Sequence, residues 1–592
     1  MRYGEWGYEG IVVTDWGGEN DRVAGLVAGN QLEMPSSAGV TDCEIVEAVR
    51  AGCINESLLD ERVDSLLRLV FESSEQAKAR RRFSAAEHMA AAREAACKAA
   101  VLVKNEGNVL PLADNARVTV IGEFAKISRY QGAGSSLIVP TRLTSAIDAL
   151  RKDTELTLVG YEPGFHRFGG KSKRKHNRAV ALARRADIAL VFLGLDEGSE
   201  AEGVDRLHMR LPENQIELLR AVRAVTKTVI AVVSGGSPVE AEWAEYADAV
   251  LLTYLGGQEC GGAVADLLTG VVSPSGKLAE TYPVSYTDVP SAGNYPGKEM
   301  TAEHRESIYI GYRYYDAANK PVTWPFGYGL TYTTFDYSEL SIERDEVAFT
   351  IHNTGARAGE EIAQVYITKK DSAVFRAQKE LKGFIKVALV PGETKRVSVR
   401  LDEHAFRYFN VAKNAWVEEP GEYDVLVGAS SREIRLTLTV ARAGESVNTP
   451  NAASELPHYY KADPANVSDA EFAALLGRPL PQSGWDREKP LCYHDTIGQG
   501  RYKRGFARFL YGMVRTIRRI CFLVGHPVAA NNVMFAMNLP YRQLARLTGG
   551  TVDQAMLDGI LVMANGQFWR GLGQTLRACG RKRRRRGPRN EN

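Results

Sequence analysis

Two carboxylate-bearing segments stand far apart in this chain. The first, Gly10-Ile11-Val12-Val13-Thr14-Asp15-Trp16, is an Ile/Val-rich run that stops on an acid. The second, Glu200-Ala201-Glu202-Gly203-Val204-Asp205-Arg206, is an acidic loop containing one glycine. A pair of carboxyl groups can divide the work of opening an acetal. One attacks the carbon, while the other protonates the leaving oxygen and later deprotonates water, provided they lie about 5 to 5.5 Å apart. Distance along the chain is no obstacle to such a pair, but composition does not show convergence. Each segment also has a plain structural reading. An Asp ends many strands, and Asp205-Arg206 reads as a structural ion pair rather than a catalytic unit.

The elements that would position these groups follow from the hydrophobic pattern. Residues 8–14 read as a strand followed by a glycine-rich turn and a helical pattern. This makes residues 1–40 a last β/α unit with Asp15 at the strand's carboxyl end, where barrel enzymes place catalytic groups. Residues 41–108 are charged and Ala-rich, notably from Ala85 to Val103, and read as a helical linker that ends in a loop. From 109 to 283, continuous apolar runs at 118–121, 156–159, 188–193, 229–233 and 250–255 alternate with helical stretches. Continuous runs mark strands covered on both faces, and the alternation predicts a parallel α/β sheet domain. Residues 284–332 read as a linker, with Gly327-Tyr328-Gly329 a packed turn. From 333 to 442, short alternating strands broken by Asn353-Thr354-Gly355, Pro391-Gly392 and Pro420-Gly421 predict a β-sandwich. A second linker (443–465) leads to a helical extension (466–580) and a basic tail (581–592). Ser468 to Glu471 and Thr551 to Gln554 have the spacing of capping boxes.

Composition narrows the class. A chain of 592 residues exceeds one core, so several domains are required. The net charge of +2 argues for no particular polyanionic partner overall, and no nucleic acid is expected. The run Arg581-Lys582-Arg583-Arg584-Arg585-Arg586 reads first as a solvated tail, and second as a contact for anionic lipid or nucleic acid. Seven cysteines without paired spacing suggest free thiols in a reducing compartment and offer no zinc site. Met1 to Trp6 lacks a signal-peptide pattern, so a cytoplasmic location is expected. The most apolar stretch, Phe506 to Val524, is interrupted by Arg508, Arg515, Arg518 and Arg519; it reads as an amphipathic or packed helix, not a membrane span. Gly122 to Gly134 lacks the dinucleotide fingerprint, and His208 and His304 stand outside any ligand cluster. No cofactor or metal is expected.

Several segments together resemble glycoside hydrolase family 3, the β-glucosidase type. Gly7 to Trp16 is similar to the family's nucleophile strand, and Ala28 to Pro35 to the segment after it, where the family usually shows an Asp near Gln31. Glu202 to Arg206 resembles the acid/base loop, and Tyr130 to Ser136 a loop that would line the pocket beside it. Gly256 to Glu259, Ser273 to Leu278, Gly311 to Asp316 and Pro325 to Leu330 resemble the same family. So do Lys379 to Phe384 and Pro391 to Glu393, which match its fibronectin type III-like domain. The resemblance covers residues 5 to 442.

It implies a retaining glycosidase, most readily a β-glucosidase, acting on a β-glucoside or oligosaccharide. Asp15 matches the nucleophile and Glu202 the acid/base, with Glu200 its nearest competitor. Trp16, Gly134 and Ser135 are the substrate-binding candidates, and a homodimer is a possible assembly. The family's nucleophile lies late in a (β/α)8 barrel, so this chain is expected to hold only a remnant of that barrel and to turn over poorly alone. The alternative is a non-catalytic carbohydrate-binding or interaction remnant of the same family.

Overall fold

The computed structural model describes residues 5–37, 39–79, 82–446, 448–547 and 551–585. The chain divides into two compact units, Met1–Ser84 with Asp486–Asn592, and Ala85–Trp485.

The first unit begins with helices α1 (Arg22–Ala28), α2 (Val40–Arg50) and α3 (Glu56–Ala77). Asp21 caps α1 by accepting from the Ala24 amide, and Gly29 closes it at φ 102°, a conformation favouring glycine. Leu26, Ile45 and Ile54 form a small core among these helices. The strand expected over residues 8–14 is not formed. A single parallel bridge joins Val13 to Leu32, supported by the Thr14 amide on the Leu32 carbonyl at 3.0 Å. A strand is held by paired neighbours, and only residues 31–34 run alongside here, which leaves Val13 45% exposed.

The second unit opens with α4 (Ala85–Ala99) and a six-stranded sheet. Its strands are β1 (Val101–Asn105), β2 (Arg117–Ile121), β3 (Thr157–Glu162), β4 (Ile188–Gly194), β5 (Thr228–Ser234) and β6 (Ala249–Leu252), in the order β1-β6-β5-β4-β2-β3. Strands β2 to β6 are parallel, as their continuous apolar runs predict. β1 departs from expectation: it follows α4 directly and pairs antiparallel with β6, so the region expected to be helical to residue 108 supplies an edge strand. Its outer side is taken up where the Leu330 amide meets the Leu102 carbonyl at 2.7 Å. Helices α5 (Ala146–Lys152), α6 (Lys173–Ala183), α7 (Glu213–Arg223) and α8 (Cys260–Thr269) cover the faces.

Residues 284–332 are no bare linker. β7 (Tyr282–Pro283) pairs with β8 (Val322–Trp324), and α9 (Tyr312–Ala317) lies between them in sequence. The turn at 327–329 packs as expected: the Gly327 amide meets the Leu278 carbonyl at 2.7 Å, and Gln364 of the sandwich donates to the Gly327 carbonyl at 3.0 Å. A Cβ at Gly327 would lie 2.0 Å from the Gln364 side chain, so glycine is required.

The sandwich pairs β9 (Phe335–Glu343), β10 (Glu346–Asn353) and β13 (Thr394–Arg400) in one sheet, and β11 (Gly359–Lys369), β12 (Glu380–Leu389), β16 (Gly421–Gly428) and β17 (Ile434–Arg442) in the other. Inward residues alternate along them, including Val347, Phe349, Ile351, Val425 and Val427. A hairpin of β14 (Arg407–Asn410) and β15 (Ala415–Glu418) projects from it. The segment expected as a linker to 465 is docked, not free. Leu456 and Tyr459, at the start of α10 (Pro457–Tyr460), are fully buried with Tyr314 and Tyr315 of α9 and Phe472 of α11 (Asp469–Leu476).

The capping expectation holds only in part. Ser468 accepts from the Glu471 amide, but the Glu471 carboxylate turns to the His458 amide and ring at 2.8 and 2.7 Å. The remaining helices are α12 (Gly505–Leu523), α13 (Pro527–Asn538), α14 (Tyr541–Leu547), α15 (Gln554–Ala564) and α16 (Phe568–Arg585). α15 starts later than expected, and Asp553, not Thr551, is its cap. α16 runs to Arg585, into the expected tail; residues 586–592 lie outside the described residues. Among the described residues, no helix is long and apolar enough to cross a membrane.

Candidate active site

The loop bearing Glu202 leaves the sheet at Gly194, the last residue of β4. That departure is fixed by Gln215 of α7, whose amide accepts from the Gly194 amide and donates to its carbonyl, both at 2.9 Å. Asp196 then tightens the turn by accepting from the amides of Gly198 and Ser199 at 2.7 and 2.9 Å. The two glutamates that follow have different surroundings. Glu200 is enclosed: the Gly236 amide and the Ser237 hydroxyl donate to its carboxylate at 2.8 and 2.5 Å, and Arg129 donates to its carbonyl at 2.9 Å. Its oxygens are occupied in tying the loop to the end of β5.

Glu202 is exposed to solvent and held from one side only. Its amide donates to the Ala133 carbonyl at 2.9 Å, and the Ser135 amide donates to its carboxylate at 2.6 Å. Hydrogen bonding from Ser135 holds the Glu202 carboxyl below its ordinary range, because the bond favours the ionised form. Between these contacts sits Gly134, at φ 118°; a Cβ there would lie 2.5 Å from the Cβ of Glu202. Gly134, Ser135 and Glu202 are thus brought together, and the glycine is what permits the approach.

Two neighbours differ from expectation. Asp205 and Arg206 form no ion pair among the described contacts. Asp205 accepts from the Tyr295 hydroxyl at 2.9 Å, while Arg206 donates to the Ser237 hydroxyl and the Pro238 carbonyl at 2.7 and 3.0 Å. The two side chains are each taken by other partners, so adjacency in sequence does not make a pair. Beneath it lies Glu280, which the sequence pattern did not single out. Burial pushes its carboxyl up to about 7, with Glu200 adding to the push and Arg206 opposing it.

Asp15 and Trp16 belong to the other unit. Asp15 is exposed, with its carboxylate accepting from the Trp16 amide at 2.6 Å, and the Trp16 side chain is 63% exposed. Its local backbone is organised by Gln31, which is buried and accepts from the Val12 amide at 2.8 Å. Thr14 exchanges hydrogen bonds with the Met34 backbone at 2.8 and 3.2 Å. Neither of two larger cavities, of 680 Å³ beside α4 and 520 Å³ beside the β14–β15 hairpin, is lined by any candidate residue. Among the described residues, no group of three His, Cys, Asp or Glu could hold a metal ion.

The arrangement of the sheet domain and the following sandwich recurs in known proteins. Residues 100–332 match the glycosyl hydrolase family 3 C-terminal domain, and residues 361–431 match the fibronectin type III-like domain. A crystal structure of a family 3 β-glucosidase from Bifidobacterium adolescentis is 41% identical, with a TM-score of 0.70 over 78% of this chain and 69% of that one. The chain belongs to glycoside hydrolase family 3.

Other family members are comparably similar. The thermostable β-glucosidase B of Acetivibrio thermocellus is 42% identical over 494 residues, 81% of this chain and 64% of that protein. The exo-α-(1→6)-L-arabinopyranosidase of Bifidobacterium breve is 41% identical over 497 residues, 81% of this chain and 65% of that protein. β-Glucosidase 3B of Thermotoga neapolitana, solved in complex with glucose, has a TM-score of 0.66 at 32% identity, covering 74% of this chain and 67% of that one. The chain therefore spans just under two thirds of the length of the curated relatives it matches.

Proposed function

We propose that this family 3 protein carries the two carboxyl groups of a retaining β-glycosidase, acting on terminal β-linked glucose. Asp15 is the nucleophile and Glu202 the acid/base. The observation that carries this reading is the contrast between the two glutamates of the loop. Glu200 is saturated by structural hydrogen bonds, whereas Glu202 is exposed, held by one edge and free to exchange a proton at the other. An acid catalyst must be protonated before bond cleavage, so displacement of the Ser135 bond by a bound sugar would release the restraint that keeps Glu202 ionised. Glu202 then protonates the leaving oxygen as the C1–O bond breaks, and the Asp15 carboxylate attacks the anomeric carbon from the opposite face, forming the glycosyl ester that water opens with Glu202 as base. Trp16 and Ser135 supply the apolar face and the polar contact for the sugar, and the cytoplasm is the compartment in which we place the reaction.

A second reading, a non-catalytic carbohydrate-binding or interaction protein, is favoured by one observation: Asp15 follows a lone bridge rather than a strand. Catalysis depends on positioning to within about 1 Å, beyond which losses near a hundredfold follow. Turnover by this chain alone is therefore expected to be low.

The test is release of p-nitrophenol from the aryl β-glucoside by the 592-residue chain, its Asp15→Ala and Glu202→Ala forms, and added azide. The catalytic reading expects weak turnover that Asp15→Ala abolishes and that azide restores in Glu202→Ala as β-glucosyl azide. Turnover unchanged by Asp15→Ala removes it. A wild type indistinguishable from the blank, with glucose binding retained, establishes the second reading.

A further inference from the structure

The chain's net charge of +2 conceals a strong separation. Residues 486–592 contain 20 Lys and Arg against 6 Asp and Glu, a net +14, so the remaining chain is net negative. Within this region α12 carries Arg508, Arg515, Arg518 and Arg519 and no acidic residue, and none of the four has an acidic partner among the described ion pairs. The same helix leaves an apolar stripe in solvent. Phe509, Met513, Ile517 and Ile520 recur at helical spacing and are 65%, 43%, 43% and 53% exposed, and Leu523 at its end is 85% exposed. The starts of α12 and α16 touch through Phe506 and Phe568, with ring centroids 5.5 Å apart. Beside Phe568, the Trp569 side chain is 80% exposed, and α16 then runs into the arginine block.

We propose that this helical extension docks the protein on an anionic lipid surface, with α12 lying in the plane of the interface. Two independent features select lipid over other polyanions. Arginines flanking an apolar stripe allow the stripe to enter the acyl boundary while the guanidinium groups stay at the phosphates. Nucleic acid would use the charge but gain nothing from five exposed aliphatic and aromatic side chains on one helix face. An exposed Trp next to the basic helix is the side chain that settles at headgroup depth. The proposal is independent of whether Asp15 and Glu202 hydrolyse a glycoside.

The experiment is co-sedimentation of the 592-residue chain with vesicles of phosphatidylcholine alone or with about one third phosphatidylserine. Binding is expected only to the anionic vesicles, falling at least tenfold at about 1 M salt, where the screening length drops to about 3 Å. Arg508→Gln with Arg515→Gln and Arg519→Gln, and separately Phe509→Ser with Ile520→Ser, should each lower the bound fraction at least fivefold. All five positions are exposed, so an unchanged thermal midpoint confirms folding. Trp569→Phe should remove the lipid-induced blue shift of tryptophan emission. Equal binding to neutral vesicles, no binding, or full binding by the Phe509/Ile520 form overturns the proposal. Tighter capture by duplex DNA that is indifferent to the apolar substitutions would make the region a nucleic-acid contact instead.

Discussion

Glu202 and Glu280 belong to the same unit, yet their surroundings pull their carboxyl groups in opposite directions. Ser135 stabilises the charge on Glu202, and burial penalises it on Glu280, whose carboxyl titrates at about 7. For Glu280 the folded state holds its proton more tightly than the unfolded chain, which releases it near 4.5. The stability contribution is complete below about pH 4.5 and is lost as the pH rises through about 7. Glu280→Gln removes this dependence. We expect the thermal midpoint of the variant to exceed that of the wild type by a margin that grows between pH 4.5 and 7.5. A margin constant with pH would show that Glu280 is not the titrating group. At this scale the sequence was partly readable. The family resemblance pointed to Glu202 and left Glu200 as its nearest competitor, because both are acids in one loop. The hydrogen bonds that occupy Glu200 support the proposed choice of Glu202. Glu280 gave no signal, since a half-buried acid in a polar segment looks like any surface acid.

Among the elements, the parallel strands were legible because burial on both faces demands continuous apolar runs. β1 was hidden because its apolar residues, Val101 to Val103, continue the Ala-rich pattern of α4 without a break. The strand before Asp15 shows the converse. Residues 11–14 have strong strand composition, but pairing decides whether composition becomes a strand, and the pairing is one bridge. The box at 468–471 failed for a tertiary reason, as Glu471 found a better partner in His458. Gln215 is the element-scale contact most consequential for the site, because it satisfies both polar groups of Gly194 where the Glu202 loop departs. It is fully buried. Replacing it with Leu leaves two buried backbone groups unpaired, at about 1–3 kcal/mol each. We expect a loss of about 2–5 kcal/mol in denaturant unfolding, and faster protease cleavage within 195–206. An unfolding midpoint within error of the wild type would show that the loop is anchored elsewhere.

For the whole molecule, domain order was readable from the change in hydrophobic period, while domain limits were not. The segment to residue 476 reads as linker and extension, yet it closes over α9 with Leu456, Tyr459 and Phe472. A polyalanine-like or proline-rich stretch reveals little of what a few buried aromatics will do. The unit from Ala85 to Trp485 contains its own sheet core, sandwich core and tyrosine-rich cluster. Expressed alone, residues 85–485 should fold, and because the unit holds several cores its calorimetric enthalpy should exceed the van't Hoff value. Truncation at 442, which exposes the surface around Tyr314 and Tyr315, should lower the midpoint and bring aggregation. Equal stability of the two forms would mean that the docked segment contributes nothing.

The clasp of Leu330 on Leu102 has a bearing on how this chain is made. β1 is the first strand of the sheet to be synthesised, yet its inner partner is β6 and its outer partner is the segment at Leu330. On the ribosome it must wait, apolar and unpaired, while the whole α/β domain emerges behind it. Domains generally fold as units during synthesis, and unpaired strand edges are the aggregation-prone species. A nascent chain stalled just short of residue 330 would hold a nearly complete sheet with one open side, and release past that point closes it.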